Sequence, residues 1–525
     1  MLSDGQELAF LDVREEGAFH EAHPLLVVSA PFSHLETRLA DLVPRRTTRI
    51  VLMDAKGEGL AARAAQRLAQ WGYSDVALLE GGLQGWSEAG LQVFSGIYVP
   101  SKAFGEFVEH RYATPSIDAQ ELKTWISEGR DMVILDSRPY TEFHGYSLPG
   151  GINCPGAELV HRVFDLVERE STTVVVNCAG RTRGIIGAQS LINAGLRNPV
   201  VSVRNGTAGW HLSGETMASL SKAVAPPPTP QGLRRAIEAS ERVARRFGVQ
   251  EIGTARLREL QQASERTLYL FDVRTPEEYE AGHIAGARSA PGGQLVQSTD
   301  HYAGTRGSRI VLCDDNGVRA RMTASWLLQL GWTEVFVLQG GLSACGQALE
   351  KGPEVPTLLP VEAAPGVQRM GVLDVQQRLQ SGDALVLDLS SSLRFRDGHI
   401  PGAWFAVRSR LAEAMAQLPP HQLLVLASAD GLFAEIAAAD AQAVSSVAVA
   451  VLRGGNAAWS AAGLALEPGL TRLTTTTDDV WYSPYDHEDR VKAMNAYLSW
   501  EIGLVEQIER EDMPLFRYFA PDAVA

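Results

Sequence analysis

At 525 residues the chain is too long for a single hydrophobic core and divides into about three or four domains. Its 45% hydrophobic and 21% charged residues are ordinary for a globular protein, and a net charge of −15 offers nucleic acid no basic face. No apolar run reaches the roughly 18 residues of a membrane span, and Met1-Leu2-Ser3-Asp4-Gly5 lacks the basic and apolar regions of a secretory signal.

In chain order, one pattern is written four times. Phe10-Leu11-Asp12-Val13-Arg14 is an apolar strand ending in Asp; a second strand ends at Met53, and Gly81-Gly82 with Trp86 follows. The second copy runs Ile134-Leu135-Asp136-Ser137-Arg138, Leu148-Pro149-Gly150-Gly151-Ile152-Asn153, Cys178, Gly206 and Trp210. The third runs Leu270-Phe271-Asp272-Val273-Arg274, Gly282-His283-Ile284-Ala285-Gly286-Ala287, Cys313 and Gly340-Gly341-Leu342. The fourth runs Val386-Leu387-Asp388-Leu389-Ser390, Gly398-His399-Ile400-Pro401-Gly402-Ala403, Ala427, Gly454-Gly455 and Trp459.

In every copy the second strand ends about forty residues after the Asp, and the glycine turn comes 27 or 28 residues later. Strand, helix, strand, helix at this spacing predicts an α/β fold, each copy a central, mainly parallel sheet flanked by helices. The expected domains are 1–98, 99–222, 231–351 and 352–468, with a stiff Pro-rich linker at 223–230 and a helical tail at 469–525. The tail should hold a helix from Glu488 to about Glu509, with Met494, Leu498, Ile502 and Val505 on its apolar stripe. Packing on a neighbouring domain is the expected use of that stripe, and dimerisation or partner binding the alternative.

The chemistry concentrates at Cys178. The apolar run Val174-Val175-Val176-Asn177 delivers it to Ala179-Gly180-Arg181-Thr182-Arg183-Gly184, ahead of a helical stretch from Ile185. Free amides at a helix N-terminus and nearby guanidinium charge both favour a thiolate, and a tight turn of amides forms an anion nest. Arg181 and Arg183 can ligate the oxygens of an anionic substrate, and Gly180 permits a backbone that a side chain would oppose. The four cysteines (Cys154, Cys178, Cys313, Cys345) form no C-x-x-C pair, so neither a disulfide framework nor a metal site is expected. Cys154 and Cys345 read as packed thiols, and His283 and His399 lack a second ligand at metal spacing. Asp136, Arg138 and Trp210 read as structural supports, the Asp and Arg pairing internally and the Trp packing under the loop.

The repeated Asp-x-Arg strand, the Gly-His-Ile-x-Gly-Ala turn, the Cys-led loop and the Gly-Gly-x-x-x-Trp turn together resemble rhodanese (thiosulfate sulfurtransferase) domains, over residues 1 to about 468. The resemblance implies a catalytic Cys heading an anion-cradling loop, a cysteine persulfide intermediate, an anionic sulfane-sulfur donor, and a thiol or cyanide acceptor. No metal or organic cofactor is implied. Only the second copy joins thiol, glycine and arginines, with Cys178 as nucleophile and residues Ala179, Gly180, Arg181, Thr182 and Arg183 as the anion cradle.

Met53 and Ala427 stand where copies one and four would need a nucleophile. Copy three keeps Cys313, but Asp314 and Asp315 beside it oppose both a thiolate and an anion. Cys178 to Gly195 is 17 positions and Cys313 to Gly331 is 18, so copy three reads Cys-x5-Arg, ending at Arg319. That count is used by related cell-cycle phosphatases and arsenate reductases. An inert thiol, a secondary sulfur acceptor and a phosphatase-like site are the three readings for Cys313. The whole chain is expected to be a cytoplasmic sulfurtransferase, with a sulfur-relay or scaffolding protein as the rival. A protein sulfur acceptor or homo-oligomer is the expected macromolecular partner.

Overall fold

Each of the four repeats closes around its own all-parallel sheet, and helices cover both faces. The structure, a computed structural model, describes residues 1–520 apart from 3, 58, 347, 348 and 512–514. In the second repeat the strands lie in the order Ser116–Ile117, Val200–Val203, Thr173–Asn177, Met132–Asp136 and Ile152–Asn153. Repeats three and four have the same five-stranded order, and the first has four strands. Thr173–Asn177 is buried along its whole length. Its β-branched run suits a central strand covered on both faces.

Two fastenings recur and explain the repeated motifs. Asp136 is buried and accepts the backbone amide and the guanidinium of Arg138, whose Nη2 also donates to Tyr146 O. Asp12 with Arg14 and Asp272 with Arg274 repeat this arrangement. In copy four, where Ser390 replaces the Arg, Asn456 Nδ2 donates to Asp388 instead, at 2.7 Å. The indoles of Trp86, Trp210 and Trp459 each donate to the carbonyl six residues on (Gln92, Thr216, Ala465), latching the turn behind the glycine motif. His283 and His399 stack on Tyr279 and Phe395, with Nδ1 at a backbone carbonyl.

The modules pack on one another through several seams, among them one between modules one and three, where Leu8 and Arg306 exchange backbone bonds. Between two and three, the helix Pro230–Phe247 buries Ala236, Ala239, Val243 and Phe247 in a core that includes Val318 and Met322 of module three. Arg319 of module three, fully buried, donates to Glu158 of module two at 2.8 Å. Between one and four, Arg408 is paired with Glu36 and Asp440, and Arg67 with Asp440.

The segments between modules are more built than a linker reading suggests. Residues 99–116 contain the helix Val99–Tyr112, which packs on Thr182–Asn193 and on the terminal helix Arg490–Ile508. The Pro-rich stretch is docked on module two by paired bonds of Asn153 with Ala223 and Ala225. The terminal helix buries Met494, Leu498, Glu501, Leu504 and Ile508, whereas Ile502 is exposed. The apolar stripe therefore drifts at the helical period of 3.6 and takes in a glutamate. Among the described residues, no helix is long and apolar enough to cross a membrane.

Candidate active site

In parallel α/β sheets, ligands collect at the carboxyl ends of the strands. Cys178 stands there, directly after Thr173–Asn177 and ahead of the helix Thr182–Asn193. Its residue is 2% exposed. The amide of Gly184 donates to the sulfur, and a Cβ at Gly184 would lie 3.6 Å from Sγ. The first-turn amides of this helix have no intrahelical acceptor, and its N-cap residue Arg181 supplies no side-chain cap. From behind, Thr207 N and Ala208 N hold the carbonyls of Cys178 and Ala179 at 2.8 and 2.9 Å. Gly206 (φ +52°) permits that approach, because a Cβ there would stand 2.2 Å from Cys178 O.

The two arginines separate in role. Arg181 is paired with Glu106 and Glu109 on the helix Val99–Tyr112 and with Asn205, so its guanidinium braces the loop while lining the space over the thiol. Burial raises the Glu106 carboxyl to about 7 despite that guanidinium. Arg183 is clamped by Glu142 at 2.7 and 2.9 Å and by Gln294 at 3.2 Å. Burial pushes Glu142 up, but Arg183 outweighs it and leaves the carboxyl below its ordinary value.

Cys178 itself is pushed up by burial; Arg183, the Gly184 amide and Lys102 pull the other way, and Glu501 opposes them. The net direction is upward, contrary to the thiolate expected from the motif, because desolvation outweighs two nearby cations. Lys102 lies on the helix Val99–Tyr112, which precedes the sheet of the second repeat and carries no motif of its own.

The C-terminal tail closes the site. Thr182 Oγ1 donates to Glu501 Oε1 at 2.5 Å, and Tyr485 Oη lies 3.3 Å from Thr207 Oγ1. A Cβ on Gly180 would meet Glu501 and Tyr497 at 3.5 Å. Over the thiol lies a cavity of about 330 Å³, whose walls include Lys102, Arg183, Trp481, Tyr485, Met494 and Tyr497.

Strand register overturns the alignment of cysteine with cysteine. Asp12, Asp136, Asp272 and Asp388 face Met53, Asn177, Cys313 and Ala427 respectively. The position of Cys178 is therefore Asp54, Asp314 and Ser428 in the other modules. The amides after the glycine turn agree: Leu83 N, Leu342 N and Asn456 N donate to Asp54 O, Asp314 O and Ser428 O, as Thr207 N does to Cys178 O. Counted from Asp314, Gly331 is 17 positions away, so the loop of module three is not enlarged. Arg319 is the counterpart of Arg183, each five residues beyond and each paired with a helix glutamate, Glu278 or Glu142.

Cys313 is the last residue of its strand, fully buried with Sγ 3.5 Å from Phe271 O, and burial followed by Asp272 and Asp314 pushes its pKa well up. Asp54 accepts the amides of Lys56, Gly57 and Ala61, and Asp314 those of Gly317, Arg319 and Ala320. In modules one and three a carboxylate of the chain thus fills the nest. In module four Ser428 Oγ takes the Ala434 amide at 3.3 Å. Cys154 is fully buried, and Cys345 is half-buried and packed against the core of module three.

A family model described as a Rhodanese-like domain matches residues 1–89, 118–213, 255–348 and 372–462. Among solved structures, a thiosulfate sulfurtransferase from Pseudomonas aeruginosa is 46% identical, with a TM-score of 0.93 over 98% of this chain and 97% of that one. The uncharacterized protein YqhL of Bacillus subtilis is 38% identical over 85 residues, 16% of this chain and 66% of that protein. The human centrosomal protein of 41 kDa is 31% identical over 90 residues, 16% of this chain and 24% of that protein. The chain thus spans just under two thirds of the Bacillus relative and about a quarter of the centrosomal one. Four matches in tandem, on four sheets of like topology, place this chain in the rhodanese-like family.

Proposed function

We propose that the protein is a sulfurtransferase carrying sulfane sulfur on Cys178. The observation that carries this reading is that, of the four equivalent positions, Cys178 alone is a thiol; Asp54, Asp314 and Ser428 hold the others. Around it the helix-initial amides are left uncapped by side chains. Similarity to the Pseudomonas thiosulfate sulfurtransferase supports the same reading.

The Cys178 thiolate attacks the outer sulfur of thiosulfate or a similar anionic donor. The donor S–S bond breaks, sulfite leaves with the electron pair, and Cys178 holds the persulfide. Amides of residues 179–183 cradle the donor's oxygens, and Arg183 and Lys102 balance its charge. Arg181 keeps the loop in shape through Glu106 and Glu109. A thiol or cyanide then takes the outer sulfur. Module two (99–222) does the chemistry, and modules 1–98, 231–351 and 352–468 support it structurally. A reducing cytoplasm would keep the thiol available. Steady-state thiosulfate:cyanide turnover by Cys178→Ser tests the assignment: activity should vanish, and retained activity would overturn it.

A further inference from the structure

The wall of the cavity facing Cys178 comes from outside all four matched segments, the last of which ends at residue 462. Trp481, Tyr485, Met494 and Tyr497 supply aromatic and apolar surface there, with Ile97 and Tyr98 from the end of module one. Met494 is buried and the three aromatic residues are half-buried. At about 330 Å³, the space lies in the range of pockets for small organic molecules, roughly 300–1,000 Å³, and far exceeds a diatomic acceptor.

Charge is distributed unevenly. Lys102 and Arg183 bear on the sulfur end. The tail also contributes Glu501, which is fully buried behind that wall, with Oε1 taken by Thr182. The aromatic and apolar wall offers a second anionic group on an acceptor no cationic partner, whereas one thiolate directed at Cys178 meets cations.

We infer that the sulfur acceptor is a small organic thiol with a neutral, apolar or aromatic body, selected by the tail through Tyr497 and Trp481. This rests on the persulfide reading above. The acceptor thiolate attacks the outer sulfur of the Cys178 persulfide and forms a new S–S bond. The bond to Cys178 breaks, and Cys178 departs as a thiolate with the electron pair, received by the Gly184 amide. The acceptor leaves as its own persulfide carrying the proton of the outer sulfur, so no external oxidant is consumed.

The test is single-turnover discharge of the full-length protein, preloaded with thiosulfate, by benzyl mercaptan and by 2-mercaptoethanol, thiols of similar acidity. Withdrawing a phenyl ring from water makes benzyl mercaptan at least about tenfold faster. In Tyr497→Ala and in Trp481→Ala that ratio should fall towards one. Equal rates for the two thiols, or a ratio unchanged in the variants, would overturn the inference. The wild-type ratio decides even where a variant fails to fold. If thiosulfate loads no sulfur on Cys178, the sulfurtransferase reading itself falls; a loaded Cys178 with a flat ratio overturns the acceptor class alone.

Discussion

Arg319 offers a quantitative test of how the modules are joined. It is fully buried and donates to Glu158 across the interface at 2.8 Å and to Glu278 and Asp315 at 2.6 and 3.1 Å. Arg319→Met removes the cation and leaves the carboxylates. Breaking a buried pair in this way costs about 3–5 kcal/mol. Glu158 retains Arg162 at 2.7 Å and His161 at 3.2 Å, and Asp314 retains its amides, so the lower end applies, about 3 kcal/mol. For a unit the size of modules two and three this lowers the melting temperature by roughly 6–12 °C.

The loss has a pH signature. Burial raises the Glu158 carboxyl, but Arg319, His161 and Arg162 outweigh it and hold the group well below its ordinary value. A depressed carboxyl contributes stability above its unfolded pKa and loses it as pH falls through the folded one. Without Arg319 the carboxyl rises, and protonation relieves the buried charge in acid. Calorimetric scans of the two proteins should therefore differ by a near-constant amount above about pH 5 and converge as the pH falls below the ordinary carboxylate range. A difference under about 2 °C at pH 7.5, or one that stays constant down to about pH 3, would refute the argument.

Two further outcomes follow from the loops. Because burial raises the Cys178 thiol above its ordinary value, alkylation of Cys178 by iodoacetamide should accelerate from pH 7 through 9 without a plateau, and Lys102→Met should slow it at each pH; a plateau below pH 8 would contradict the balance of desolvation over charge. Asp314→Ala vacates a nest of three amides (Gly317, Arg319 and Ala320), at about 1–3 kcal/mol for each donor left unsatisfied. Sulfate should then raise the melting temperature of the variant more than that of the parent protein, and equal responses would show that the carboxylate does not stand in for an anion.

The repeated fold was legible because its determinants are local. Asp strands, glycine turns and their spacing are written within about 90 residues in each module, and the sheets follow from that order. The register was also written, but the shared cysteine of copies two and three masks it. Counted from the strand aspartates, Met53, Asn177 and Cys313 each stand 41 positions on and Cys178 stands 42. That count would have put Asp314, not Cys313, in the nucleophile's place. The commitment of Arg181 was hidden because its partners Glu106 and Glu109 lie more than 70 residues earlier, on a helix between modules. Glu501 and Tyr497 come from some 320 residues beyond Cys178, a closure that no local periodicity encodes. The raised thiol had the same origin: a motif shows nearby charge, whereas desolvation depends on everything packed over it.

The central claim is that one thiol among four related loops carries sulfur. Intact-mass and peptide mass spectrometry after incubation with thiosulfate tests it most directly. The account predicts a labile adduct of about 32 Da on Cys178, discharged by cyanide, with Cys154, Cys313 and Cys345 unmodified. Sulfur on Cys313 instead, or no adduct on Cys178, would contradict it.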